Sequence, residues 1–390
     1  MLFSAFVIVS AATSVLASPV QHGTTTTLPL KRVGQIASAS QLVKQGKARI
    51  SYNVNAGKKA IAGSAPAENI AVSYVANVTV GSGSYQLILD TGSSITWVGA
   101  SKPYQPGPSS KDTGKSATLG YGSGFAFAEE YIDKVTIGSV SVNAQAIGVA
   151  SFAYGFGAGN DGIFGLGPVA LTTYTFPGGA PTFLDNLYKD KTISQEVIGV
   201  YFHPETGSDN NDVNGEITFG AVDSTKFSGQ VAYVPTLTSG PSAPFWGVSA
   251  SFQYGSTNLG STNAGIVDTG TTLIYINTAA FNAFLKASGG TLDQNGLVSY
   301  TQKPTSNFSI TFGSTKYDLT PAQYLIPKEQ YANLKITDSS KFYAWINNGG
   351  NGTDQDGNPT TDTIVGQKFL EYYYSVYDTT NSRVGFAKAS

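Results

Sequence analysis

Two aspartates in this 390-residue chain stand in closely similar surroundings. Asp90 follows the apolar run 85–89 and begins an Asp-Thr-Gly triplet, and Asp268 does the same after residues 264–267. Two carboxyl groups held close together share one proton, because like charges at short range cannot both ionise cheaply. One group then acts as a base on a water molecule while the other donates a proton. The first chemistry that these residues indicate is hydrolysis by paired carboxylates.

Each aspartate is followed by residues suited to a tight turn. Gly92 and Gly270 let the chain turn sharply and leave backbone N–H groups near the carboxylates. A single Asp-Thr-Gly is usually an ordinary turn, but these two copies are 178 residues apart. Each copy is followed by another β-type run, at residues 95–98 and 273–276.

A second element also occurs twice. Residues 162–167 (GIFGLG) follow the first triplet and residues 363–366 (TIVG) follow the second, and each contains two apolar residues before a glycine. The duplication predicts two similar β lobes related by a pseudo-twofold axis, with one aspartate from each lobe meeting at the axis. We place the N-terminal lobe at residues 62–235 and the C-terminal lobe at 236–390, together forming one unit.

The composition favours strands and restricts the chemistry. Charged residues make up only 12% of the chain, and there are 45 Gly, 22 Tyr and 21 Phe, a mixture typical of short strands joined by turns. We therefore predict an all-β fold. The chain has no Cys, and its two His residues are His22 and His203. A thiol nucleophile and a zinc site with several His ligands are excluded, and we interpret His203, which precedes Pro204, as a surface residue.

The N-terminus has the pattern of an exported protein. Residues 1–17 combine an apolar core with the small residues Val-Leu-Ala before a predicted cleavage point, and we interpret them as a signal peptide. A membrane anchor is the alternative, but the apolar run is interrupted by Ser10, Thr13 and Ser14 and is shorter than a span requires. We predict a secreted, soluble protein, with vacuolar retention as the alternative location.

The next segment, residues 18–61, is unusually basic. It contains seven of the 23 Lys and Arg residues and no acidic residue: Lys31, Arg32, Lys44, Lys47, Arg49, Lys58 and Lys59. Without it, 16 basic residues face 25 acidic ones, a formal charge of −9. A solvated tail is one interpretation. The other, which we favour, is a pro-segment held on the acidic body by charge, with a cleavage region near Lys58 and Lys59.

Three N-glycosylation triplets follow this segment, at Asn77, Asn307 and Asn351. They agree with export, although such triplets also arise by chance.

Together the two triplets, their apolar-apolar-Gly partners and the C-terminal segments 369–378 and 383–387 resemble the pepsin family of aspartic peptidases over residues 67–387. The similarity is greatest to the cysteine-free secreted fungal enzymes of the polyporopepsin type. The resemblance implies a bilobal β fold and an aspartic endopeptidase made as a zymogen, acting on extended peptides at acidic pH. It also implies sensitivity to pepstatin and inhibition by the chain's own pro-segment.

The resemblance assigns roles around the catalytic pair. Asp90 and Asp268 would activate a water molecule, and which of them is the base stays open because the pair titrates as a unit. The hydroxyls of Thr91 and Thr269 would form hydrogen bonds across the twofold axis. Ser93 and Thr271 would bind the outer oxygens of the two carboxyl groups.

The resemblance also identifies a flap in residues 121–124 (YGSG). Tyr121 would close over the substrate and bond to Trp97, which is seven residues after Asp90. Gly122 and Ser123 would donate backbone N–H groups to the peptide, and Ile163 would line a pocket on the N-terminal side of the scissile bond.

Two positions depart from the family pattern. Some fungal relatives have Asp where this chain has Ser123 and accept Lys there, so we expect a preference for bulky apolar residues. The family often has Asp where this chain has Gln367, which leaves the pH optimum open.

The main alternative is a catalytically inactive protein of the same fold that binds or inhibits a partner, although such proteins usually lose a catalytic Asp, the flap Tyr or a motif Gly. A glycoside hydrolase with paired carboxylates is a second alternative, and it would not require the duplicated triplets. The acidic body argues against nucleic-acid binding. We expect a monomer with no cofactor and no metal, and Asp354, Asp356 and their loop are interpreted as solvated rather than calcium-binding.

Overall fold

The computed structural model describes residues 25–33, 38–51, 73–121, 124–156, 159–204, 207, 213–354 and 356–390. The signal-peptide prediction, His22, Lys58, Lys59, Gly122 and Ser123 lie outside these residues. Strands dominate the described chain, so the all-β prediction is confirmed. No helix in the described part of the chain is long and apolar enough to cross a membrane.

The leader segment, residues 18–61, contributes one strand and one helix, Thr26–Val33 (β1) and Ala39–Ser51 (α1). The chain that follows forms strands Ser73–Val80 (β2), Gly83–Asp90 (β3), Trp97–Val98 (β4), Lys111–Tyr121 (β5), Gly124–Ile137 (β6), Val140–Tyr154 (β7), Gly162–Gly165 (β8), Val197–Phe202 (β9), Val213–Phe219 (β10) and Phe227–Pro235 (β11). Helix Phe183–Lys189 (α2) and 3-10 turns Val169–Tyr174 and Ser224–Lys226 lie between them.

The second half forms strands Gly247–Tyr254 (β12), Thr257–Val267 (β13), Ile274–Ile276 (β14), Thr291–Leu292 (β15), Val298–Tyr300 (β16), Phe308–Phe312 (β17), Thr315–Leu319 (β18), Phe342–Tyr343 (β19), Ile346–Asn348 (β20), Thr363–Val365 (β21), Tyr373–Asp378 (β22) and Arg383–Ala389 (β23). Its helices are Thr278–Ser288 (α3), Pro321–Tyr324 (α4) and Gln367–Leu370 (α5), with a 3-10 turn at Lys328–Gln330.

The two halves repeat one strand arrangement. In the first, β8 pairs in parallel with β3, while β4 pairs antiparallel with β8 and parallel with β7. In the second, β21 pairs in parallel with β13, while β14 pairs antiparallel with β21 and parallel with β20. The register aligns Leu89 with Phe164 and Val267 with Val365. Asp90 and Asp268 therefore follow equivalent strands at equivalent positions, as the repeated motifs predict.

The largest sheet joins strands from along the whole chain in the order β11-β23-β22-β9-β10-β1-β2-β3-β8-β4-β7-β6-β5. Two smaller sheets have the orders β18-β17-β12-β13-β21-β14-β20 and β15-β16-β19. Strands β22 and β23 pair with β9 and β11, so the C-terminal strands are hydrogen-bonded to strands that precede residue 236. The boundary at residue 235 remains a prediction, and it coincides with the end of β11.

Strand β1 lies inside the large sheet. It pairs antiparallel with β10 over residues 26–31 and with β2 over residues 31–33. Leu30 and Arg32 are buried, so the strand contributes side chains to the interior as well as backbone hydrogen bonds. This part of the leader segment is thus integrated into the body of the protein.

Helix α1 was not anticipated from the strand-rich composition. Its start has a capping box, in which Ser38 Oγ accepts a hydrogen bond from Gln41 N at 3.2 Å and Gln41 Oε1 accepts one from Ser38 N at 3.0 Å. The residues of its buried face are Ala39, Leu42, Val43, Gly46 and Ile50. They recur at helical spacing, and the apolar ones join a cluster with Tyr275, Leu297 and Leu334 of the second half.

A buried carboxylate fixes the loop before β5. Asp133 accepts hydrogen bonds from Tyr104 Oη at 2.6 Å, Gly107 N at 2.8 Å and Ser109 Oγ at 2.8 Å. Because its side chain is inaccessible to water, these donors replace the hydration that burial removes.

Candidate active site

Two loops with the same local structure meet at the centre of the molecule. Strand β3 ends at Asp90 and strand β13 ends immediately before Asp268, so each aspartate is held by a buried strand. Both carboxyl groups are almost completely buried, at 1% and 0% exposure. The structure therefore brings together the two residues that the repeated motif selected.

The threonines after the aspartates tie the loops together. Thr91 Oγ1 donates to Val267 O at 3.0 Å and accepts from Thr269 N at 3.0 Å. Thr269 Oγ1 donates to Leu89 O at 2.9 Å and accepts from Thr91 N at 3.0 Å. These four bonds are buried and symmetric, and each crosses between the halves. They fix the separation of the two aspartates, since neither loop can move without breaking bonds to the other.

Each carboxyl group is oriented by its own loop. Ser93 Oγ donates to Asp90 Oδ2 at 2.5 Å, and Thr271 Oγ1 donates to Asp268 Oδ2 at 2.6 Å. The backbone N–H of Gly92 donates to Asp90 Oδ1 at 3.0 Å, and that of Gly270 donates to Asp268 Oδ1 at 2.9 Å. Ser93 and Thr271 therefore hold one oxygen of each carboxyl group, as the resemblance implied.

The glycines are required by close approach of the two loops. A Cβ atom at residue 270 would overlap Asp90 Oδ1, and one at residue 92 would lie 2.8 Å from Asp268 Oδ1. Only a residue without a side chain allows each loop to pass this close to the opposite carboxyl group.

A leader residue contacts both aspartates. Arg49, near the end of α1, places Nη2 2.5 Å from Asp90 Oδ1 and 3.2 Å from Asp268 Oδ1. Its Nε lies 2.6 Å from Asp268 Oδ2. A planar guanidinium can donate to two carboxylates in this way because its N–H groups point in fixed directions. Arg49 therefore occupies the space between the two carboxyl groups.

The charges of this group are strongly coupled. Burial raises the pKa of Asp268 to about 6, with Arg49 opposing the rise and Asp90 adding to it. Burial lowers the pKa of Arg49, but the charges of Asp268 and Asp90 outweigh it and hold that pKa above its usual value. Because the guanidinium stays charged, its interaction with the aspartates changes between neutral and acidic pH only when the carboxyl pair takes up a proton.

Tyr121, the described residue at the start of the predicted flap, lines the cleft beside Arg49. Trp97 Nε1 donates to Tyr121 Oη at 2.8 Å, and Trp97 is completely buried. The Phe156 ring packs edge-on against both rings, with centroids 4.8 Å from Trp97 and 5.6 Å from Tyr121. Ile163 is buried and belongs to the same apolar cluster as Trp97 and Leu119.

An open cavity remains beside Arg49. Residues from both halves line it, including Ile95, Leu119, Tyr121, Leu171, Phe245 and Ile266. The walls are mainly apolar, so this part of the cleft suits an apolar side chain next to the aspartates.

Other predicted sites lie away from this centre. Asn77 and Asn351 are exposed, whereas Asn307 is half-buried. The exposed His203 ring places Nδ1 2.8 Å from Pro204 O. Within the described residues no group of three or more His, Cys, Asp or Glu could hold a metal ion.

Two residues near the site were not identified from the sequence in these roles. Arg49 was one of seven basic residues in the leader segment, and charge alone could not distinguish it from the others. Gln367 was noted only as a departure from the family pattern. In the structure its Nε2 donates to Thr269 O at 2.7 Å, directly behind the second aspartate loop.

Two aspartate loops joined by cross-bonded threonines, with the hydrogen-bonded Tyr121 and Trp97 nearby, define an aspartic hydrolase with a two-lobed β fold. The family model for eukaryotic aspartyl protease matches residues 73–389. The chain belongs to this family, whose members are aspartic-type endopeptidases of the pepsin type.

Named relatives agree with this assignment. Polyporopepsin from Irpex lacteus is 42% identical over 341 residues, which cover 84% of this chain and 98% of that protein. Aspergillopepsin-1 from Aspergillus oryzae is 30% identical over 333 residues, covering 80% and 78% of the two chains. The crystal structure of the aspartic proteinase from Irpex lacteus matches with a TM-score of 0.76 at 36% identity, covering 94% of this chain and 98% of that one. The bilobal fold prediction is confirmed.

Proposed function

We propose that Asp90 and Asp268 are the catalytic pair of an endopeptidase that acts at acidic pH on extended polypeptides, and that the chain is made as a zymogen. The observation that carries this proposal is the position of Arg49, whose guanidinium contacts both carboxyl groups at once. A basic side chain from the leader segment in this place blocks the atoms that would otherwise bind water.

The geometry supports a mechanism in which water replaces Arg49. In each carboxyl group Oδ2 is held by Ser93 or Thr271, and both Oδ1 atoms contact the same guanidinium nitrogen. Without the arginine, a single water molecule can bond to both Oδ1 atoms. The ionised carboxylate removes a proton from this water as the water oxygen attacks the peptide carbonyl, and the protonated partner donates its proton to the carbonyl oxygen. The C–N bond of the resulting diol then breaks as the amine nitrogen takes back the proton that the first carboxyl group holds, and the second carboxylate recovers a proton from the diol.

The raised pKa of Asp268 supports an acidic working range. A carboxyl pair that shares one proton is active only at pH values at which one group is protonated and the other is ionised. The pKa of about 6 for Asp268 applies with Arg49 in place. The contact with Arg49 lowers this pKa, and burial, which raises it, is the larger effect.

The cleft supports binding of an extended peptide with bulky apolar side chains. Tyr121, whose hydroxyl accepts from the buried Trp97, would close over a substrate strand, and strand-like binding would give affinity through backbone hydrogen bonds. The apolar cavity beside the aspartates would accept the side chain next to the scissile bond. Ile163 remains proposed as a pocket residue, and pepstatin-type inhibitors are expected to bind here.

Export and glycosylation belong to the same proposal. The exposed positions of Asn77 and Asn351 make them the better candidates for glycans. At the third triplet, Ser309 is buried and its Oγ donates to Asp318 Oδ1 at 2.6 Å, which leaves this hydroxyl committed within the fold. A monomer remains the expected form.

The test compares the full chain with Asp90→Asn, each after acid pre-incubation, for digestion of a denatured protein from strongly acidic to neutral pH. Acid-dependent, pepstatin-sensitive cleavage by the wild-type chain, abolished in the variant, is the expected result. A folded and processed wild-type protein without activity at any pH would contradict the proposal and favour the inactive binding protein.

A further inference from the structure

The start of helix α5 is bonded to the loop that carries Asp268. Gln367 N donates to Thr271 O at 2.7 Å, and Lys368 N donates to Thr272 O at 3.0 Å. The side-chain amide Nε2 of Gln367 donates to Thr269 O at 2.7 Å. Three carbonyl groups among the four residues after Asp268 therefore accept from the first two residues of one short helix.

The side-chain bond is the unusual one of the three. Gln367 has 0% exposure, and its Oε1 atom has no hydrogen-bond partner among the described residues. A buried amide oxygen without a partner costs free energy, whereas a leucine or methionine of similar size would avoid that cost. The position therefore keeps a glutamine at some expense to stability, and the benefit must come from the donor end.

The acceptor of that bond is central to the cross-lobe contacts. Thr269 forms three hydrogen bonds with Leu89 and Thr91 of the opposite loop, and its neighbour Asp268 carries one carboxyl group of the proposed pair. Because the Thr269 carbonyl is fixed by Gln367, the peptide plane between Thr269 and Gly270 cannot rotate freely. That plane also supplies the Gly270 N–H that donates to Asp268 Oδ1 at 2.9 Å.

The described residues of the other half show no equivalent of the Gln367 side-chain bond. The strand register places Leu166 at the position that corresponds to Gln367, one residue after the glycine of each apolar-apolar-Gly element. A leucine side chain has no hydrogen-bonding atom, so it cannot fix the Thr91 carbonyl in this way. The two aspartate loops have symmetric threonine bonds, but only the loop of Asp268 accepts a side-chain hydrogen bond from the residue at this corresponding position.

The helix that presents Gln367 is itself anchored. Lys368 Nζ lies 2.7 Å and 2.9 Å from the two carboxyl oxygens of Glu371, and it sits 4.6 Å above the centre of the Trp345 ring. Both members of this pair are buried, at 4% and 2% exposure. The ion pair lies within the single turn of α5, and the Trp345 contact together with the backbone bonds to Thr271 and Thr272 connects that turn to its surroundings.

We propose that Gln367 is a positioning residue for catalysis, whose amide donor orients the Thr269–Gly270 peptide and through it the carboxyl group of Asp268. This inference rests on the proposed role of Asp268. It predicts that the hydrogen-bond donor at position 367, and not the size of the side chain, sets the turnover rate.

The test uses two variants at position 367, Gln367→Met and Gln367→Glu, and a control variant at position 145. Each full chain is activated by acid and assayed with a chromogenic peptide. Gln367→Met keeps the size but removes the donor, and we expect kcat to fall about tenfold or more with KM within twofold, because small errors in orientation at a reacting group cost rate. Gln145→Met is the matched control. Gln145 is also buried and its Nε2 donates to Pro181 O at 3.0 Å, but it lies in β7 away from both loops. Loss of this hydrogen bond in Gln145→Met should lower the melting temperature and leave kcat unchanged.

Gln367→Glu gives a readout that a purely structural role would not change. A protonated glutamic acid donates an O–H to Thr269 O, whereas the ionised form only accepts and repels that carbonyl. The variant should keep near wild-type kcat in strong acid, and its activity should fall at a lower pH than that of the wild type as the pH rises.

The other titratable groups on α5 and on the elements packed against it bear on this profile. They are Asp268, Lys368, Glu371, Tyr201, Tyr275, Tyr324, Tyr373, Tyr374, Tyr377 and Asp378. All of them are present in both proteins, so the difference between the two pH profiles reports the introduced carboxyl group.

If Gln367→Met keeps the wild-type kcat and Gln367→Glu keeps the wild-type pH profile, the inference is overturned and the proposed function is left intact. Equal losses of kcat in Gln367→Met and Gln145→Met would also overturn it, since a general loss of stability would then explain the effect. If Gln367→Met does not accumulate as a folded protein, the pH profile of Gln367→Glu decides alone. An inactive wild-type enzyme overturns this inference together with the proposed function, because no catalytic loop would then need positioning.

Discussion

Arg49 in the leader segment places its Nε atom 2.6 Å from Asp268 Oδ2, at the end of a helix whose apolar face is buried against the second half of the molecule. The same guanidinium reaches Asp90, so one side chain contacts both carboxyl groups. Latency in this protein is therefore expected to depend on a specific ion pair in addition to the net charge of the leader segment.

Replacing Arg49 should release the active centre early. In Arg49→Gln the charge-assisted bonds to both aspartates are lost, each worth about 1.5–3 kcal/mol when formed with charged partners. We expect activity to appear at higher pH and without the usual acid pre-incubation, as measured by the onset of peptide cleavage. Lys44→Gln removes the same charge from an exposed position on the same helix and should behave like the wild type. Equal effects of the two variants would show that only net charge matters.

The acid dependence of activation should follow the carboxyl pair. The pKa of Asp268 is raised to about 6, mainly by burial, so this group takes up a proton as the pH falls through that value. Protonation removes its negative charge while Arg49 stays positive, so the hold on α1 weakens below about pH 6 and is strongest above it. The measurement is the resistance of the leader segment to an added protease as a function of pH. It is made in Asp90→Asn, which prevents self-cleavage and leaves Asp268 as the one carboxyl group of the pair that can titrate. Protection that is independent of pH down to strong acid would contradict this prediction.

Gly46 should be a second determinant of latency. A Cβ atom there would overlap the ring and hydroxyl of Tyr275, whose Oη donates to Leu42 O at 3.3 Å and Val43 O at 3.2 Å. Gly46→Ala improves intrinsic helix propensity by about 1 kcal/mol, yet we expect it to weaken the docking of α1 and accelerate activation. Lys47→Ala makes a helix-favouring change at an exposed site and should not accelerate it. Slower activation of Gly46→Ala would mean that propensity outweighs the steric overlap.

Tyr121→Phe tests the flap. The change removes the hydroxyl that accepts from Trp97 Nε1 at 2.8 Å and leaves a buried donor unpaired, at a cost of about 1–3 kcal/mol. We expect kcat/KM to fall about tenfold, because the bond that positions Tyr121 for closure over substrate is lost, and the melting temperature to fall by a few degrees. Tyr188→Phe, at a tyrosine on the surface of α2, is the control for removing a hydroxyl. Unaltered kcat/KM in Tyr121→Phe would argue against a role for this bond in turnover.

Asp133→Asn should reduce stability without a direct effect on catalysis. Burial acts to raise the pKa of Asp133, but the hydrogen bonds from Tyr104, Gly107, Lys134 and Ser109 outweigh it and hold that pKa below its usual value. A lowered pKa means that the stabilisation is present above the unfolded-state value near 4 and is lost as the pH falls through the folded-state value. We expect a loss of about 2 kcal/mol in the unfolding free energy near pH 6, shrinking in strong acid. Asp190→Asn, on the surface, should change stability by less than about 0.5 kcal/mol, and a constant difference across pH would contradict the charge-based explanation.

The sequence predicted the parts of the site that are repeated or locally patterned. Asp90 and Asp268 could be located because each triplet follows an apolar strand, and an internal repeat with two carboxyl groups indicates a shared centre. The all-β fold followed from composition. These features are local in sequence, so they can be recognised without coordinates.

Contacts between distant segments could not be predicted in the same way. The charge of the leader segment indicated attraction to the body, but only the docking of α1 on Tyr275 determines that Arg49 and not Lys44 reaches the aspartates. Similarly, Gln367 differs from the family pattern by one side chain, and its bond to Thr269 depends on the register of β13 and β21. These contacts join residues far apart in sequence, 98 positions between Gln367 and Thr269 and 219 between Arg49 and Asp268.

The position of β1 means that the leader segment, the proposed inhibitor, is attached at two points. Helix α1 is joined through residues 52–72 to β2 and through residues 34–37 to β1, which is itself paired with β10 and β2. A single cut after α1 would end only one of these attachments, and the helix would still be presented at the high effective concentration of a tethered ligand. Full activity should therefore appear later than the first cleavage. The length of this delay should depend on how quickly β1 leaves the sheet and the freed peptide dissociates.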